Sequence, residues 1–215
     1  MKFLKKFKKK IIFIYLVICS ILPFNYLRII FYNLAPGINI KNSQIGFLNI
    51  FITNQISIHN SYLGNFNLIK INKLKIMNSS LKNFNLLNNF YKFYINKKTI
   101  IGSYNIFNNT KYKKNFFVAI KSQISSKIFI EMDTNIIFRE NVVFGGRGSK
   151  IINNRSNLKR TFFNKNIYVG SKVLITSGVS IKGCGVTIGA CSVVNTDILK
   201  PGKYFSKKIK LINEK

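Results

Sequence analysis

The side chains that usually carry acid–base or metal chemistry are scarce in this chain of 215 residues. It contains one histidine, His59, together with three cysteines and five acidic residues. The cysteines, at positions 19, 184 and 191, form neither a paired framework nor a metal-ligand spacing. A single histidine also argues against a zinc site, so no metal is predicted. Cys184 and Cys191 are expected to act as small apolar residues in a reducing compartment.

The charge balance points to an anionic partner. The formal net charge is +30, from 35 Lys and Arg against five Asp and Glu. A surface this basic attracts phospholipid head groups, acidic polymers or nucleic acid. The basic residues are spread along the chain rather than gathered on one helix, and no known nucleic-acid-binding module is recognisable. We therefore predict a membrane lipid surface as the partner, and not nucleic acid.

Any site must be positioned by a repeat that dominates the middle of the chain. The motif Ile45–Phe51 returns with its first residue at Leu63, Leu81 and Ile101, at intervals of 18, 18 and 20 residues. Eighteen residues form three faces of six, which predicts a triangular coil of parallel strands stacked about 4.8 Å apart. The leading aliphatic side chains are predicted to point inward. A second set is predicted to stack as a ladder of amides, namely Asn49, Asn67, Asn85 and Asn105.

The hexad pattern continues to the end of the stack. Its later leading residues are Val118, Ile124, Ile130, Ile136, Val169, Ile175, Ile181, Ile188 and Val194, with Phe138 and Phe144 between the two sets. Residues 88–98 and 108–115 are predicted to be insertions ejected at corners, and residues 150–166 to be a longer loop or an irregular coil. The β-helix is assigned to residues 37–200, followed by a basic tail at 201–215.

Residues 1–36 have the composition of a membrane-associated segment. Six lysines between positions 2 and 10 precede an apolar run at 11–22, which Pro23 ends. Twelve helical residues cover about 18 Å, less than the ~30 Å of a bilayer core. We predict two short helices hinged at Pro23 and lying in one leaflet. A tilted span and a signal peptide are the alternatives. Pro36-Gly37 ends the segment, and the β-helix is expected to fold without it.

The lysines of residues 2–10 also predict on which side of the membrane the protein lies. Basic residues beside an apolar segment favour the cytoplasmic side of a membrane. A hairpin hinged at Pro23 would return the β-helix to that side. We therefore predict a protein at the cytoplasmic face of the inner membrane.

The last coils resemble those of the hexapeptide-repeat acyltransferases. The resemblance is carried by Ile167–Gly170 and Gly189–Asp197, and it covers roughly residues 22–200. The stretch Leu22–Arg28 resembles one found in a membrane-associated branch that acetylates polysaccharides. The resemblance implies a left-handed parallel β-helix, usually a homotrimer. It also implies acetyl transfer from acetyl-CoA to a hydroxyl or amine of a sugar or surface-polysaccharide precursor.

The chain departs from this family at the catalytic positions. Ile128 and Asn154 stand where the family segments carry histidines, and asparagine cannot act as a base. Glu131 keeps a carboxylate at the family's Asp position. It could orient an acceptor hydroxyl or act as the base; alternatively, it is a turn carboxylate paired with a lysine. The resemblance therefore assigns Glu131 and Asn154 as the catalytic candidates.

Binding of the donor is assigned to a second group of residues. Glycines let a phosphate approach backbone amides, and basic side chains meet the phosphates of CoA, although the same glycines could be simple corners. The assigned residues are Gly145, Gly146, Arg147, Thr176, Gly178 and Lys182. Two functions remain open: an acyltransferase, or a catalytically degenerate β-helix that serves as a structural or assembly subunit at the membrane.

Overall fold

A pair of helices precedes a stack of parallel strands in the computed structural model. It describes residues 2–110, 114–152 and 159–206, and only the backbone of residues 2–9. The helices are α1 (Lys2–Ser20) and α2 (Asn25–Leu34), and every strand pair described is parallel. The expected architecture of a parallel β-solenoid is confirmed.

The strands form three faces, which the chain visits in turn. Face 1 is a nine-stranded sheet: β2 (Gln44–Ile45), β5 (Tyr62–Leu63), β7 (Ser80–Leu81), β9 (Ile100–Ile101), β12 (Gln123–Ile124), β15 (Val142–Phe144), β18 (Ile167–Val169), β21 (Val186–Ile188) and β23 (Gly202–Tyr204). The pairing of β23 with β21 extends the solenoid past residue 200, where we had placed its end.

Faces 2 and 3 belong to one continuous 14-stranded sheet, because two long strands run through both. These strands are β6 (Leu68–Met77) and β8 (Leu86–Ile95). Face 2 also contains β3 (Ile50–Ile52), β10 (Ile106–Asn109), β13 (Phe129–Met132), β16 (Lys150–Ile152), β19 (Leu174–Thr176) and β22 (Val193–Val194). Face 3 also contains β1 (Ile38–Lys41), β4 (Gln55–His59), β11 (Asn115–Val118), β14 (Ile136–Phe138), β17 (Thr161–Phe163) and β20 (Ser180–Ile181). We call the bend from face 1 to face 2 the first corner, that from face 2 to face 3 the second, and that from face 3 to the next face 1 the third.

The predicted register of the repeat is confirmed. On face 1, Ile45 pairs with Leu63, Leu63 with Leu81, and Leu81 with Ile101. All four side chains are buried, as are the leading residues of the later hexads. Alternate residues of a strand point to opposite sides, so this register places one apolar set inside the coil.

The predicted asparagine ladder forms at the first corner. The side-chain oxygen of Asn49 accepts from the Asn67 amide side chain at 2.9 Å, and the oxygen of Asn67 accepts from that of Asn85 at 3.0 Å. The backbone N–H of Asn105 continues the ladder by donating to the Asn85 oxygen at 3.1 Å. The four side chains are buried, so these bonds satisfy polar groups that water does not reach.

Phenylalanine fills the centre of the middle coils. Phe93 stacks on Phe116 with ring centroids 4.6 Å apart, and Phe138 stacks on Phe163 at 4.4 Å. Phe107 packs edge-on against both Phe93 and Phe116. Each ring is buried and removes a large apolar area from water, which makes this column a main source of stability.

The helices cover the first coil and satisfy its free edge. The Asn25 side-chain oxygen accepts from the Ile45 N–H at 2.7 Å, and Arg28 Nε donates to the Ile45 carbonyl at 2.9 Å. The Asn33 side chain both donates to and accepts from the backbone of Ile40, at 2.9 and 2.8 Å. The helices thus make the bonds that a preceding coil would make, and close an edge open to aggregation.

The same helices belong to the apolar core. Leu16, Cys19 and Tyr32 are buried in one cluster with the residues of the first coils. The Tyr32 ring meets Phe51 edge-on at 5.2 Å, and its hydroxyl donates to the Asn49 carbonyl at 2.9 Å. Two helices around Pro23 were predicted and are present. Their packing as a cap was not predicted, and it removes the reason for expecting residues 37–215 to fold alone. None of the described helices has the length and apolarity needed to cross a membrane.

One predicted insertion is wrong. Residues 88–98 lie mainly in strand β8, where Phe90, Phe93 and Ile95 are buried. One of the two additional residues of this coil is absorbed by a register shift opposite Lys70 and Ile71, where Asn89 adopts a φ of +63°, and the other falls at the third corner. The additional residues at 108–115 and 150–166 do fall at the second corner, although the ends of both ranges are strands. Residues 111–113 and 153–158 lie outside the described part of the chain.

Candidate active site

Buried polar side chains gather at the second corner of the later coils. In the first coils this corner is a short bend through Thr53-Asn54 and then Ile71-Asn72. In the later coils it passes through Asp133-Thr134, then through a segment ending near Thr161, and then through Ser177-Gly178. The buried polar residues of these later bends are Asp133, Thr134, Thr161 and Ser177. The other two corners also bury Asn, Ser or Thr side chains, but among the described residues the second corner alone buries a carboxylate, which marks it as a candidate site.

Asp133 is the central acidic group of this cluster. It is 1% exposed, and it is the one buried carboxylate among the described residues. Strand β13 ends at Met132, so Asp133 begins the bend. A carboxylate in such a position could accept a proton from a substrate hydroxyl or orient that hydroxyl.

Hydroxyl groups connect the coils around Asp133. Thr134 Oγ1 and Ser177 Oγ are 3.1 Å apart, although 43 residues separate them in sequence. The Thr161 hydroxyl accepts from the Gly178 N–H at 2.7 Å, and the Ser177 N–H donates to the Ile152 carbonyl at 2.7 Å. These bonds fix the second corner across three coils, including the bend that Asp133 begins.

Glu131 lies on the outer side of face 2, next to this corner. Its residue pairs with Asn108, whose side chain accepts from Asn88 at 2.9 Å. In the following coils, Ile152 and then Thr176 occupy the same outward row, because Ile130 pairs with Ile151 and Ile152 with Thr176. The structure therefore brings Glu131, Thr176 and Gly178 to one side of the molecule.

Two of the three glycines assigned to donor binding, Gly145 and Gly146, lie at the first corner. A Cβ atom on Gly146 would be 1.7 Å from Ser171 Oγ, and one on Gly145 would be 2.9 Å from Ser149 Oγ. Gly145 also has a φ of +71°, which favours glycine. Close stacking of the coils thus explains both glycines without a ligand.

Gly146 also lines a basic depression in the surface of the protein. It has a volume of about 280 Å³, and Lys82, Ser125, Ser126 and Arg147 are among the residues that line it. Arg147 and Gly146 therefore share a surface with a second cation and two hydroxyl groups, a combination suited to a phosphate.

The other assigned residues are not all brought to this site. Lys182 follows the face 3 strand β20, and its carbonyl accepts from the Asn164 side chain. It therefore lies at the third corner and not at the second. Asn154 lies outside the described residues. His59 ends strand β4 in an early coil, and its buried Nε2 has no hydrogen-bond partner among the described residues.

Ile128, which stands where the acyltransferase family carries a histidine, is buried inside the coil. Its N–H donates to the Asn105 side chain at 2.8 Å, so Ile128 takes the next place after Asn105 in the ladder. Its side chain is buried, and its Cδ1 lies beneath Gly145. A histidine at this position would point into the core instead of toward a substrate.

Sequence reasoning missed Asp133, Thr134 and Ser177. A signal was present, because two of the five acidic residues, Glu131 and Asp133, fall within three positions of one hexad. The burial of Asp133 and its closeness to the coil of Ser177 depend on the bend, which the hexad pattern does not specify.

Comparison with known protein families finds none that matches this chain, and comparison with curated proteins finds no relative. Within residues 2–110, 114–152 and 159–206, no three His, Cys, Asp or Glu side chains are grouped as metal ligands.

Proposed function

We propose that the protein is an acyltransferase of the hexapeptide-repeat type, working on a left-handed β-helix at a membrane surface. It would transfer an acetyl group from acetyl-CoA to a hydroxyl or amine of a sugar or surface-polysaccharide precursor. The observation that carries the proposal is the buried Asp133 beside the Thr134–Ser177 pair, at the end of face 2.

Face 2 offers a path for the donor. The basic depression at Lys82 and Arg147 adjoins its first corner, and the Asp133 cluster forms its second corner. The strands between these corners have three or four residues and therefore cover about 10–13 Å. An acyl-CoA whose phosphates sit at the first corner would extend its pantetheine arm over face 2 toward Asp133.

The chemistry then needs three contributions from the chain. Asp133 or Glu131 takes the proton from the acceptor hydroxyl as its oxygen attacks the thioester carbonyl. An N–H or hydroxyl donor at the second corner stabilises the negative oxygen of the tetrahedral intermediate. Collapse of that intermediate releases the CoA thiolate, which takes up the proton, and leaves the acetyl group on the acceptor.

Membrane association is supported by the outer surface of the cap. On α1, the exposed face opposite the buried one carries three isoleucines, Ile11, Ile14 and Ile18. Ile21, directly after the helix, is also exposed, as are Ile30 and Leu34 on α2. A surface helix that is apolar on both faces suits the boundary between head groups and acyl chains. Six lysines in residues 2–10 would meet anionic lipid, and a cytoplasmic face would give access to acyl-CoA.

A non-catalytic role as a structural or assembly subunit is the second candidate. It is favoured by the burial of Ile128 and by the remoteness of His59, which leave the described residues without a histidine base. In this case the β-helix and its cap would remain, and acetyl-CoA would not bind.

The two candidates are separated by measuring acetyl-CoA binding by calorimetry and CoA thiol release with sugar acceptors on the full-length protein. We expect binding, and for Asp133→Asn a loss of turnover of about 100-fold or more. Glu140→Gln is the matched control, because Glu140 is a surface acid paired with Lys165 at 3.5 Å. Thermal unfolding of each variant checks its fold. If turnover in Asp133→Asn equals that of the control, Glu131→Gln tests the other candidate base. Absence of binding, or equal turnover in all three variants, would refute the acyltransferase proposal.

A further inference from the structure

A pocket of about 510 Å³ lies between α1 and the first coils. One wall is formed by Ile12, Phe13 and Leu16 of the helix, and the opposite wall by Phe51, Ile52 and Ile71. The volume falls within the ~300–1,000 Å³ of typical ligand sites. Because both walls are aliphatic or aromatic, the inner part of the pocket offers little to a polar ligand.

Charge is confined to the rim. Lys70, exposed on face 2, lines the pocket together with Asn54 and Asn72, whose side chains are joined by a 2.5 Å hydrogen bond. Lys10, which is exposed, precedes the part of α1 that forms the wall. A ligand with an apolar chain and an anionic head would therefore find a match for both of its parts.

The pocket also adjoins the surface that would contact lipid. Phe13 lines it and is partly exposed, and the next residue, Ile14, belongs to the exposed apolar face of α1. A chain could pass from the acyl layer into the pocket beside Phe13 without crossing water, which makes entry from a membrane favourable.

We propose that this pocket binds one acyl chain of an anionic phospholipid, with the head-group phosphate near Lys70. The proposal rests on the membrane association proposed above, and it assigns to the cap a lipid site distinct from the Asp133 cluster of the later coils. Binding there would join α1 to the first coils through the lipid as well as through Leu16 and Cys19.

The test uses the full-length protein and vesicles of phosphatidylcholine and phosphatidylglycerol, the latter with a diazirine in its acyl chain. Flotation measures membrane binding, and mass spectrometry locates the photo-cross-links. We expect cross-links in the peptides containing Phe51-Ile52 and Ile71, which line the pocket and lie apart from the outer face of α1. Cross-links restricted to Ile14, Ile18 and Ile21 would overturn the pocket while leaving membrane binding intact. Failure to float would remove both proposals.

Two matched pairs of variants sharpen the result. Ile52→Trp should fill the pocket and reduce these cross-links about tenfold, whereas Ile106→Trp should not. The two positions are comparable, since Ile52 is 41% and Ile106 is 42% exposed and both point outward from face 2. Lys70→Gln should weaken vesicle binding more than Lys75→Gln on face 3.

A separate experiment tests whether the bound acyl chain belongs to a phospholipid or to a free fatty acid. It uses a free fatty acid that carries the same diazirine. The proposal requires the phospholipid to label the pocket when both are present at equal concentration. Labelling by the fatty acid alone would overturn the assignment to a phospholipid. Equal labelling in Ile52→Trp and in the unaltered protein would overturn the pocket itself.

Discussion

The early and late coils share one cross-section but differ in regularity. Face 1 residues repeat after 18 residues from Ile45 to Leu63 and again to Leu81. From Ile124 to Phe144 the step is 20 residues, and from Phe144 to Val169 it is 25. The early coils carry the asparagine ladder, whereas the late coils carry the buried polar cluster. Constant spacing thus accompanies the amide ladder, and the buried polar cluster lies where the coil length varies.

The physical reason lies in the register. Amides bond from coil to coil only when each coil offers an asparagine at the same place, and an additional residue within a strand would turn every later side chain to the other face. Additional residues therefore collect at a corner. The longest additions, between Asn109 and Asn115 and between Ile152 and Thr161, fall at the second corner, where they leave the strand register of the faces unchanged.

The largest effect is expected from removing the cap of the early coils. Deletion of residues 2–36 would expose the backbone of Ile40 and Ile45 and uncover Phe51. We expect aggregation or loss of cooperative unfolding, because a free edge and an open core are created together. Circular dichroism and gel filtration measure this outcome.

Deletion of residues 2–9 alone is the control and should leave a folded protein. A soluble 37–215 fragment with the unfolding temperature of the full chain would show that the early coils need no cap, as the sequence alone had suggested.

A substitution within the ladder should have an intermediate effect. The Asn67 oxygen accepts from both the N–H and the side chain of Asn85, and its own amide donates to Asn49. Asn67→Ala leaves buried groups without partners and should cost about 2–4 kcal/mol of unfolding free energy.

The control is Asn65→Ala, at the more exposed edge of the same corner, where the Asn65 oxygen accepts from the Phe47 N–H at 2.8 Å. It should cost about 1 kcal/mol or less, because water can replace the lost partner. Urea denaturation measures both variants. Equal costs would mean that burial of the ladder contributes nothing to the stability of the early coils.

The smallest effect concerns the pH dependence of the cap. Burial raises the pKa of the Tyr32 hydroxyl above its ordinary value. The folded protein therefore holds this proton more tightly than the unfolded chain does. The resulting stability is fully present below the ordinary pKa of about 10, and is lost as the pH rises above it.

Urea denaturation at neutral and alkaline pH tests this contribution. Tyr32→Phe should lose about 1 kcal/mol at neutral pH, because the Asn49 carbonyl loses its donor. The variant should also show a shallower decline above pH 10. Identical declines in the two proteins would assign the alkaline sensitivity to other groups.

The sequence determined the coil, its register and its inward residues. A period of 18 with an aliphatic residue at its head has one compact solution, a three-faced parallel stack, and the asparagine ladder follows from the same equality of spacing. Pro23 and the helical spacing around it likewise determined two short helices. These features depend on local periodicity, which a single sequence displays.

The tertiary structure alone decided what the helices cover and where the polar groups meet. Arg28 and Asn33 look like interruptions of an apolar segment, but they bond the free edge of the first coil. Ile128 turns inward because it follows Asn105 in the ladder, and Thr134 meets Ser177 because the bends place their coils together. Such contacts join residues up to 43 positions apart through corners whose length follows no repeat, so no periodic pattern could specify them.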